Sequence, residues 1–162
     1  MSIKVLSKNE NETKKIAKNL AQKILKREIK ERIIALVGDL GGGKTTFLKG
    51  FARGLGIRKK ILSPTFVIMR RYKIPKRKSF PKLEFDNFYH IDCYRLKKPK
   101  EILNLGFKKI IKSPKNIVAI EWAEKIKKLL PPEAIWLKFK IVDKKTREIL
   151  IKDKIKTKFD VA

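Results

Sequence analysis

Acidic residues are scarce in this chain of 162 residues, which has 43 Lys and Arg against 16 Asp and Glu and a formal net charge of +27. Cysteine is scarcer, because Cys93 is the only one, and a single thiol cannot form an intramolecular disulfide. We expect it to be a small buried hydrophobic residue in a reducing compartment. The chain also lacks a signal-peptide-like segment and an apolar run long enough to cross a bilayer. These absences argue against a secreted disulfide module and against a membrane protein, and they predict a cytoplasmic domain.

The excess of positive charge has two interpretations. A strongly positive protein attracts polyanions, so the first interpretation is that the chain binds nucleic acid or anionic lipid. The lysines are spread along the whole chain, however, which favours a general bias in composition. The densest basic segment, 70–78, is interrupted by Tyr72 and Pro75 and is compatible with an RNA-contacting loop or with a solvated connection. No other nucleic-acid motif decides between the two.

One segment fits a phosphate-binding loop at every fixed position. Residues 38–45, Gly-Asp-Leu-Gly-Gly-Gly-Lys-Thr, match the pattern G-x-x-x-x-G-K-S/T. The glycines let backbone N–H groups close around a polyphosphate, Lys44 reaches the outer phosphates, and the Thr45 hydroxyl can bind Mg²⁺. An apolar run at 33–37 predicts a buried strand before the loop, and apolar residues at helical spacing in 47–55 predict a helix after it. This context predicts a nucleoside triphosphate site.

A second buried strand ends in a carboxylate. The apolar run 117–120 precedes Glu121, and P-loop proteins present an acid to the Mg²⁺ shell from such a position. Glu121 could contact the metal directly, bridge to it through water or polarise the attacking water. Trp122 beside it could pack against the nucleotide, against another protein or within the core.

Polar residues alternate in the segment 90–95. On a strand, His90, Asp92 and Tyr94 would project from one face. Asp92 could hold a metal-bound water or orient the hydrolytic water, and a structural pair with Arg95 explains it equally well. His90 is the only histidine, and we expect it to be packed structurally.

Thr65 lies where ATPases and GTPases often place a residue that senses the terminal phosphate. The guanine-reading segment N-K-x-D is missing, which favours ATP over GTP. No lid segment is evident beyond residues 70–78, and this weakens the case for a small-molecule kinase.

The order of elements predicts an α/β fold, a P-loop NTPase-like three-layer sandwich with a largely parallel central sheet and a β-rich C-terminal end. The first helix is predicted over 9–27, where Asn9 and Glu12 resemble a capping box. Residues 1–152 are predicted to form a single P-loop ATPase domain, and 153–162 a frayed C-terminal tail. The remaining predicted elements are strands at 32–37, 66–69, 83–95, 117–120, 136–142 and 148–152 and helices at 99–106 and 123–130.

These segments occur in the order and approximate spacing of one family. They are Gly-Asp-Leu-Gly-Gly-Gly-Lys-Thr-Thr-Phe at 38–47, Ser-Pro-Thr at 63–65, His-Ile-Asp-Cys-Tyr-Arg-Leu at 90–96, Glu101 with Leu105-Gly106, and Ile-Glu-Trp at 120–122. From the N-terminal helix to about residue 141, the chain resembles the TsaE family, formerly YjeE. Members are the small P-loop ATPases of bacterial tRNA threonylcarbamoyladenosine synthesis.

The resemblance implies a cytoplasmic ATPase that uses ATP and Mg²⁺ and acts with the TsaB–TsaD pair. That pair modifies adenosine 37 in tRNAs reading codons that start with A. In the family, hydrolysis is thought to reset or activate the TsaD-containing complex between turnovers, so that tRNA is reached through the complex.

The resemblance also assigns roles by position. Lys44 binds phosphates, while Thr45 and Glu121 hold Mg²⁺. Thr65 is the switch-like residue, and Asp92 supports hydrolysis. A family threonine near the adenine corresponds to Thr13. The residues predicted to contact the nucleotide are Thr13, Gly38, Asp39, Leu40, Gly41, Gly42, Gly43, Lys44, Thr45, Thr46 and Trp122.

Two other functions remain open at this stage. A small-molecule kinase would use the same loop with Asp92 as the base. A basic RNA-binding adaptor would hold the nucleotide only as a structural ligand. The basic segment 73–82 looks longer than is usual in the family, so the sequence does not decide how a partner would sit near it.

Overall fold

The described part of the chain is built around one seven-stranded sheet. The structure is a computed structural model that describes residues 2–62 and 68–152. The strands are β1 (Ser2–Ser7), β2 (Ile33–Gly38), β3 (Met69–Lys73), β4 (Asn87–Asp92), β5 (Asn116–Glu121), β6 (Ile135–Ile141) and β7 (Arg147–Lys152). The helices are α1 (Glu10–Leu25), α2 (Lys44–Gly54), α3 (Lys100–Leu103) and α4 (Phe107–Lys112), with a 3₁₀ helix at Ala123–Leu129.

Parallel strands occupy the middle of the sheet. The order is β1-β7-β6-β2-β5-β4-β3, and the pairs β6–β2, β2–β5 and β5–β4 are parallel. The pairs β1–β7, β6–β7 and β3–β4 at the two margins are antiparallel. The predicted α/β class, with a largely parallel centre and a β-rich C-terminal end, is therefore confirmed. Because parallel strands end at the same edge, the carboxyl ends of β2, β4 and β5 lie together.

Helices cover both faces of this sheet. Strand β5 shows why, because its apolar residues alternate between two separate cores: Ile117 and Ala119 pack with α1 and α2, whereas Val118 and Ile120 pack with α4 and the 3₁₀ helix. Every residue of β5 is buried. Burial on both faces explains why the sequence of this strand is a continuous apolar run. Helices on both faces of the sheet give the predicted three-layer arrangement.

The first helix begins where the cap was predicted. The Asn9 side chain accepts a hydrogen bond from the Glu12 backbone N at 2.9 Å, and the Glu12 carboxylate accepts one from the Lys8 backbone N at 2.7 Å. Two backbone donors at the helix start are thereby satisfied. This cap fixes the start of α1, and the first turn lines the cavity described below.

A glycine lets α1 and α2 approach closely. A Cβ atom on Gly50 would lie 2.4 Å from the Cα and the carbonyl oxygen of Lys14. The obstacle is backbone, so it cannot be relieved by a side-chain rotation. The packing of the two helices on the sheet therefore depends on the absence of a side chain at this position.

We expect Gly50→Val to lower the free energy of unfolding by about 3 kcal/mol, because overpacking a closed helix contact forces the backbone apart. The matched control is Lys49→Val, an exposed position on the same helix. At that position valine lowers the free energy of unfolding only through its poorer helix propensity, by about 0.5 kcal/mol. Urea unfolding followed by circular dichroism measures the free energy of unfolding of both variants. Equal decreases in the two would show that the close contact at Gly50 is not what matters.

Several local predictions were wrong. Residues 70–73, predicted as part of a basic loop, belong to strand β3, and β4 is only Asn87–Asp92 rather than 83–95. Strand β1 and helix α4 were not predicted, and the helix predicted at 123–130 is a 3₁₀ helix. The missed strands lie at the margins of the sheet, so neither carries a fully apolar face. The predicted tail 153–162 and residues 66–67 of the strand predicted at 66–69 lie outside the described residues.

Cys93 is fully buried in the core on the α4 side of the sheet. Burial raises the pKa of its thiol to about 12, because the thiolate would lose its hydration. The thiol therefore stays protonated at neutral pH, and the prediction of a small buried hydrophobic residue is confirmed.

Candidate functional site

A cavity of about 800 Å³ opens at the carboxyl edge of the parallel strands. Four parts of the chain line it: the start of α1, the loop 40–43 with the first turn of α2, the residues that end or follow β4 and β5, and the hairpin between β6 and β7. Of the predicted site residues, those in the lining are Thr13, Leu40, Gly41, Gly42, Gly43, Lys44, Thr45, Thr46, Asp92, Glu121 and Trp122. Gly38 and Asp39 stand behind the lining, and Thr65 lies outside the described residues.

The loop before α2 has a backbone that only glycine adopts readily. Gly43 precedes α2 with φ of 99°, in the left-handed region. Gly38 has φ of 139°, and a Cβ atom there would lie 2.5 Å from the carbonyl oxygen of Phe139 on the neighbouring strand β6. The loop consequently delivers the N-terminus of α2, with its unpaired N–H groups, to the cavity.

Lys44 is held inside the loop by backbone carbonyls. Its side chain donates hydrogen bonds to the carbonyl oxygens of Gly38 and Asp39, and its Nζ lies 4.5 Å from the centre of the Trp122 ring. Burial lowers the pKa of Lys44, while Glu121 and other acids near the cavity act in the opposite direction. The hydrogen-bond acceptors of this buried ammonium are neutral carbonyls, so an anion entering the cavity would gain a strong interaction with it.

Both oxygens of the Glu121 carboxylate have a partner. The Thr45 hydroxyl donates to Oε1 at 2.9 Å, and His90 Nε2 lies 2.7 Å from Oε2. Glu121 is 3% exposed and His90 is fully buried. The two side chains therefore share a buried hydrogen bond. His90 is packed as expected, but its contact with a site carboxylate was not predicted.

The Thr45 and Glu121 oxygens fit a Mg²⁺ site. Octahedral Mg²⁺ binds oxygens at about 2.1 Å, which puts neighbouring ligand oxygens roughly 3 Å apart. The distance of 2.9 Å between Thr45 Oγ1 and Glu121 Oε1 matches this spacing. Within residues 2–62 and 68–152 no group of three or more His, Cys, Asp and Glu side chains forms a complete cage. Such a site suits Mg²⁺, which keeps several waters and takes further oxygens from substrate phosphates.

Asp92 lies beside Glu121 at the same edge. The two residues are paired in the parallel register of β4 and β5. The Asp92 carboxylate accepts a hydrogen bond from the Tyr94 backbone N at 2.9 Å and faces the cavity, which Arg95 also lines. The structure thus places Asp92 where it could act on a bound phosphate, while the choice between a hydrolytic role and a structural pair with Arg95 stays a prediction.

Trp122 occupies a strained position between β5 and the 3₁₀ helix. It is not a glycine, yet its φ is 56° and its ψ is 40°, in the left-handed region. Its ring contacts the Tyr94 ring at 5.0 Å between centroids and lies under the Lys44 ammonium. The strained residue lies at the predicted site, where its ring packs against the ammonium of Lys44.

Sequence reasoning missed the basic hairpin between β6 and β7, which lines the cavity beside the loop. Lys144, Lys145 and Arg147 line it, and Arg147 Nε donates to the carbonyl oxygen of Gly41 at 3.1 Å. The turn residue Asp143 accepts from two backbone N–H groups, and these hydrogen bonds hold its pKa below the usual value. The basic residues of the turn were the only sequence feature that could have pointed to this part of the site. The turn lies next to the loop because β6 pairs with β2, and this pairing is not visible in the local sequence.

Comparison with known proteins identifies relatives along nearly the whole chain. The family model described as "Threonylcarbamoyl adenosine biosynthesis protein TsaE" matches residues 7–149. A tRNA threonylcarbamoyladenosine biosynthesis protein TsaE from Rickettsia felis is 40% identical over 142 residues, which are 86% of this chain and 73% of that protein. The protein of the same name from Bacillus subtilis is 36% identical over 144 residues, 87% of this chain and 79% of that one.

A solved structure agrees with the fold. The crystal structure of YdiB from Bacillus subtilis matches with a TM-score of 0.71 at 31% identity, covering 94% of this chain and 86% of that one. In the described part of the chain, no helix is long and apolar enough to cross a membrane.

Proposed function

The chain belongs to the TsaE family, and from that premise we propose that it is a Mg²⁺-dependent ATPase of tRNA threonylcarbamoyladenosine synthesis. It acts in the cytoplasm with homologues of TsaB and TsaD on the modification of adenosine 37. The observation that carries the ATPase proposal is the contact between Thr45 and Glu121, next to the buried ammonium of Lys44. These are the groups that a P-loop enzyme needs around the outer phosphates.

The phosphate groups of ATP are bound first by the loop. The free N–H groups at the start of α2 point into the cavity, and Lys44 exchanges its carbonyl partners for phosphate oxygens. Lys144, Lys145 and Arg147 add positive charge from the hairpin between β6 and β7. Because these donors are already in place before ATP enters, little reorganisation is needed when charge shifts during hydrolysis.

The carboxylate of Glu121 and the hydroxyl of Thr45 would hold Mg²⁺ beside the β- and γ-phosphates. The ion supplies charge neutralisation on the phosphate oxygens. His90 keeps the carboxylate oriented through its contact with Oε2. Thr13, buried at the start of α1 with its hydroxyl 2.6 Å from that of Ser7, lines the cavity beyond the loop, on the side where we place the nucleoside.

Asp92 is the proposed partner of the attacking water. Its carboxylate accepts a hydrogen bond from the water, whose oxygen bonds to the γ-phosphorus while the bond to the bridging oxygen of ADP breaks. The products are ADP and inorganic phosphate, and the proton of the water is released. We propose Thr65 as the residue that senses the γ-phosphate in this step.

The function is tested by supplying the partners. We expect slow ATP hydrolysis by the protein alone and faster hydrolysis with the cognate TsaB–TsaD pair. In a pull-down, the amount of TsaB–TsaD bound to the protein should differ between ATP and ADP. Cells that lack the protein should lose threonylcarbamoyladenosine from tRNA, and unchanged modification would contradict the proposal. Phosphate recovered on a metabolite instead of as inorganic phosphate would favour a small-molecule kinase.

We expect ATP binding to change the fluorescence of Trp122, because the ammonium of Lys44 leaves the ring for the phosphates. The change should vanish in Trp122→Phe and persist in Trp136→Phe, whose indole packs against the core on the α4 side. A titration of each variant with ATP and Mg²⁺ measures this. An unchanged signal in Trp122→Phe would show that the ring does not report on the loop.

A further inference from the structure

A second cavity of about 800 Å³ lies at the β3 margin of the sheet, which we call the β3-edge cleft. It is formed by residues 56–62 after α2, by 70–73 of β3 and by 75–77. It shares no lining residue with the nucleotide cavity. The phosphate-loop helix α2 connects the two, since its N-terminus faces one cavity and the chain leaving its C-terminus lines the other.

The lining of the β3-edge cleft is more cationic than the chain as a whole. Eight of its 13 residues are Lys or Arg and none is acidic, against 43 Lys and Arg among 162 residues overall. The nucleotide cavity differs, because Glu10, Asp92 and Glu121 are part of its wall. The general excess of lysine therefore does not account for this concentration of one sign.

Most of these charges have no counter-charge in the part of the chain that the structure describes. Among the described residues, no ion pair involves Arg58, Lys59, Lys60, Arg70, Arg71 or Lys73, and all six are exposed. Arg70 and Arg71 are adjacent on an edge strand, so their side chains leave opposite faces of the sheet while both line the cleft. A cluster of like charges this dense repels itself and is relieved by an external polyanion.

The two remaining cations are held in place. Lys76 Nζ lies 3.2 Å from Asp86 Oδ1, and the Arg77 guanidinium donates to the carbonyl oxygen of Gly54 at 3.2 Å and stacks over the Phe80 ring at 4.9 Å. Arg77 thereby ties the wall of the cleft to the end of α2. The cleft therefore combines two cations that contact neighbouring groups of the protein with six exposed cations that have no ion pair among the described residues.

We propose that the β3-edge cleft binds the phosphate backbone of structured RNA. The occupant must carry several negative charges, because six exposed cations without an ion pair among the described residues line this one cleft. A concave cationic cleft suits a backbone that lies in it, whereas a membrane surface is flat and favours a protruding apolar side chain between the charges. This inference stands on charge and shape and does not depend on the ATPase proposal.

The test measures binding of an unmodified tRNA transcript by fluorescence anisotropy over a range of salt concentrations. We expect R70A/R71A to weaken binding about tenfold or more and to reduce the slope of log K against log salt by about 2, since two phosphate contacts are lost. The matched control is K108A/K109A, which removes two exposed charges from α4, outside the cleft. It should bind tRNA as the parent protein does. Both variants should keep the parent circular dichroism spectrum and basal ATP hydrolysis.

Three results would overturn the proposal. Equal losses in the two variants would mean that only net charge attracts RNA, and no loss in either would mean that the cleft takes no part. Loss of binding to anionic lipid vesicles in R70A/R71A, with tRNA binding intact, would assign the cleft to a membrane surface. Lys44→Ala separates this proposal from the ATPase, because it should slow hydrolysis by about 10²–10³-fold and leave tRNA binding unchanged.

Discussion

Lys44→Ala is expected to reduce the rate of ATP hydrolysis by about 10²–10³-fold, the loss typical of removing one preorganised charge or donor at a reacting group. The side chain is 5% exposed, donates hydrogen bonds to the carbonyl oxygens of Gly38 and Asp39, and lies over an indole ring. No other lysine of α2 can take its place, since Lys49 lies on the exposed side of the helix. The variant should also bind ATP more weakly, because the ammonium contacts the phosphates in the ground state as well.

Lys49→Ala is the matched control for this prediction. It removes the same charge from the same helix at an exposed position, and it should hydrolyse ATP at the parent rate. Release of inorganic phosphate in single and multiple turnovers measures both variants. If Lys49→Ala lost as much activity as Lys44→Ala, net charge near the loop would be responsible and the role of Lys44 would be refuted.

Glu121→Gln should cause the second large loss, again about 10²–10³-fold in turnover, together with a higher Mg²⁺ concentration at half-maximal rate. The amide has the shape of the carboxylate and keeps an oxygen for Thr45, but it has no negative charge to offer to a cation. The buried contact with His90 is the one structural risk, because Glu121 Oε2 lies 2.7 Å from His90 Nε2. A circular dichroism spectrum and a urea unfolding curve check that the variant is folded.

Glu124→Gln is the control, since Glu124 is exposed in the 3₁₀ helix that follows Trp122. It should leave the Mg²⁺ dependence unchanged. Binding of ATP without Mg²⁺ distinguishes loss of a metal ligand from structural damage at the contact with His90. A metal ligand matters little in the absence of the metal, so Glu121→Gln should then bind ATP as the parent does. An unaltered Mg²⁺ titration in Glu121→Gln would remove this residue from the metal site.

The sequence predicted the central elements of the fold because those elements are patterned locally. Strands β2 and β5 are continuous apolar runs, the cap at Asn9 uses side chains three residues apart, and the loop before α2 needs glycine at fixed positions. Their ends were predicted to within about two residues. The parallel pairing of these strands followed from the alternation of strand and helix.

The margins of the sheet could not be predicted in the same way. Strand β3 contains Arg70, Arg71 and Lys73 without a buried position, so its sequence favours a loop. Only hydrogen bonding to β4 makes it a strand. Strand β1 is a strand because β7, at the other end of the described chain, pairs with it. Such long-range pairings leave little trace in the local pattern.

The sequence by itself identified the candidate site residues: the loop at 38–45, Glu121 at the end of a strand and Asp92 at the end of another. These follow from local patterns, and the roles assigned to them, as well as the single-domain organisation of 1–152, stay predictions for the experiments above. Only the tertiary structure decided what surrounds those residues. It joined Thr45 and His90 to one carboxylate, brought the basic hairpin of β6 and β7 to the loop, and gathered scattered cations into the β3-edge cleft. The physical reason is that strand order and register set these contacts, and they are fixed by packing between segments far apart in the chain.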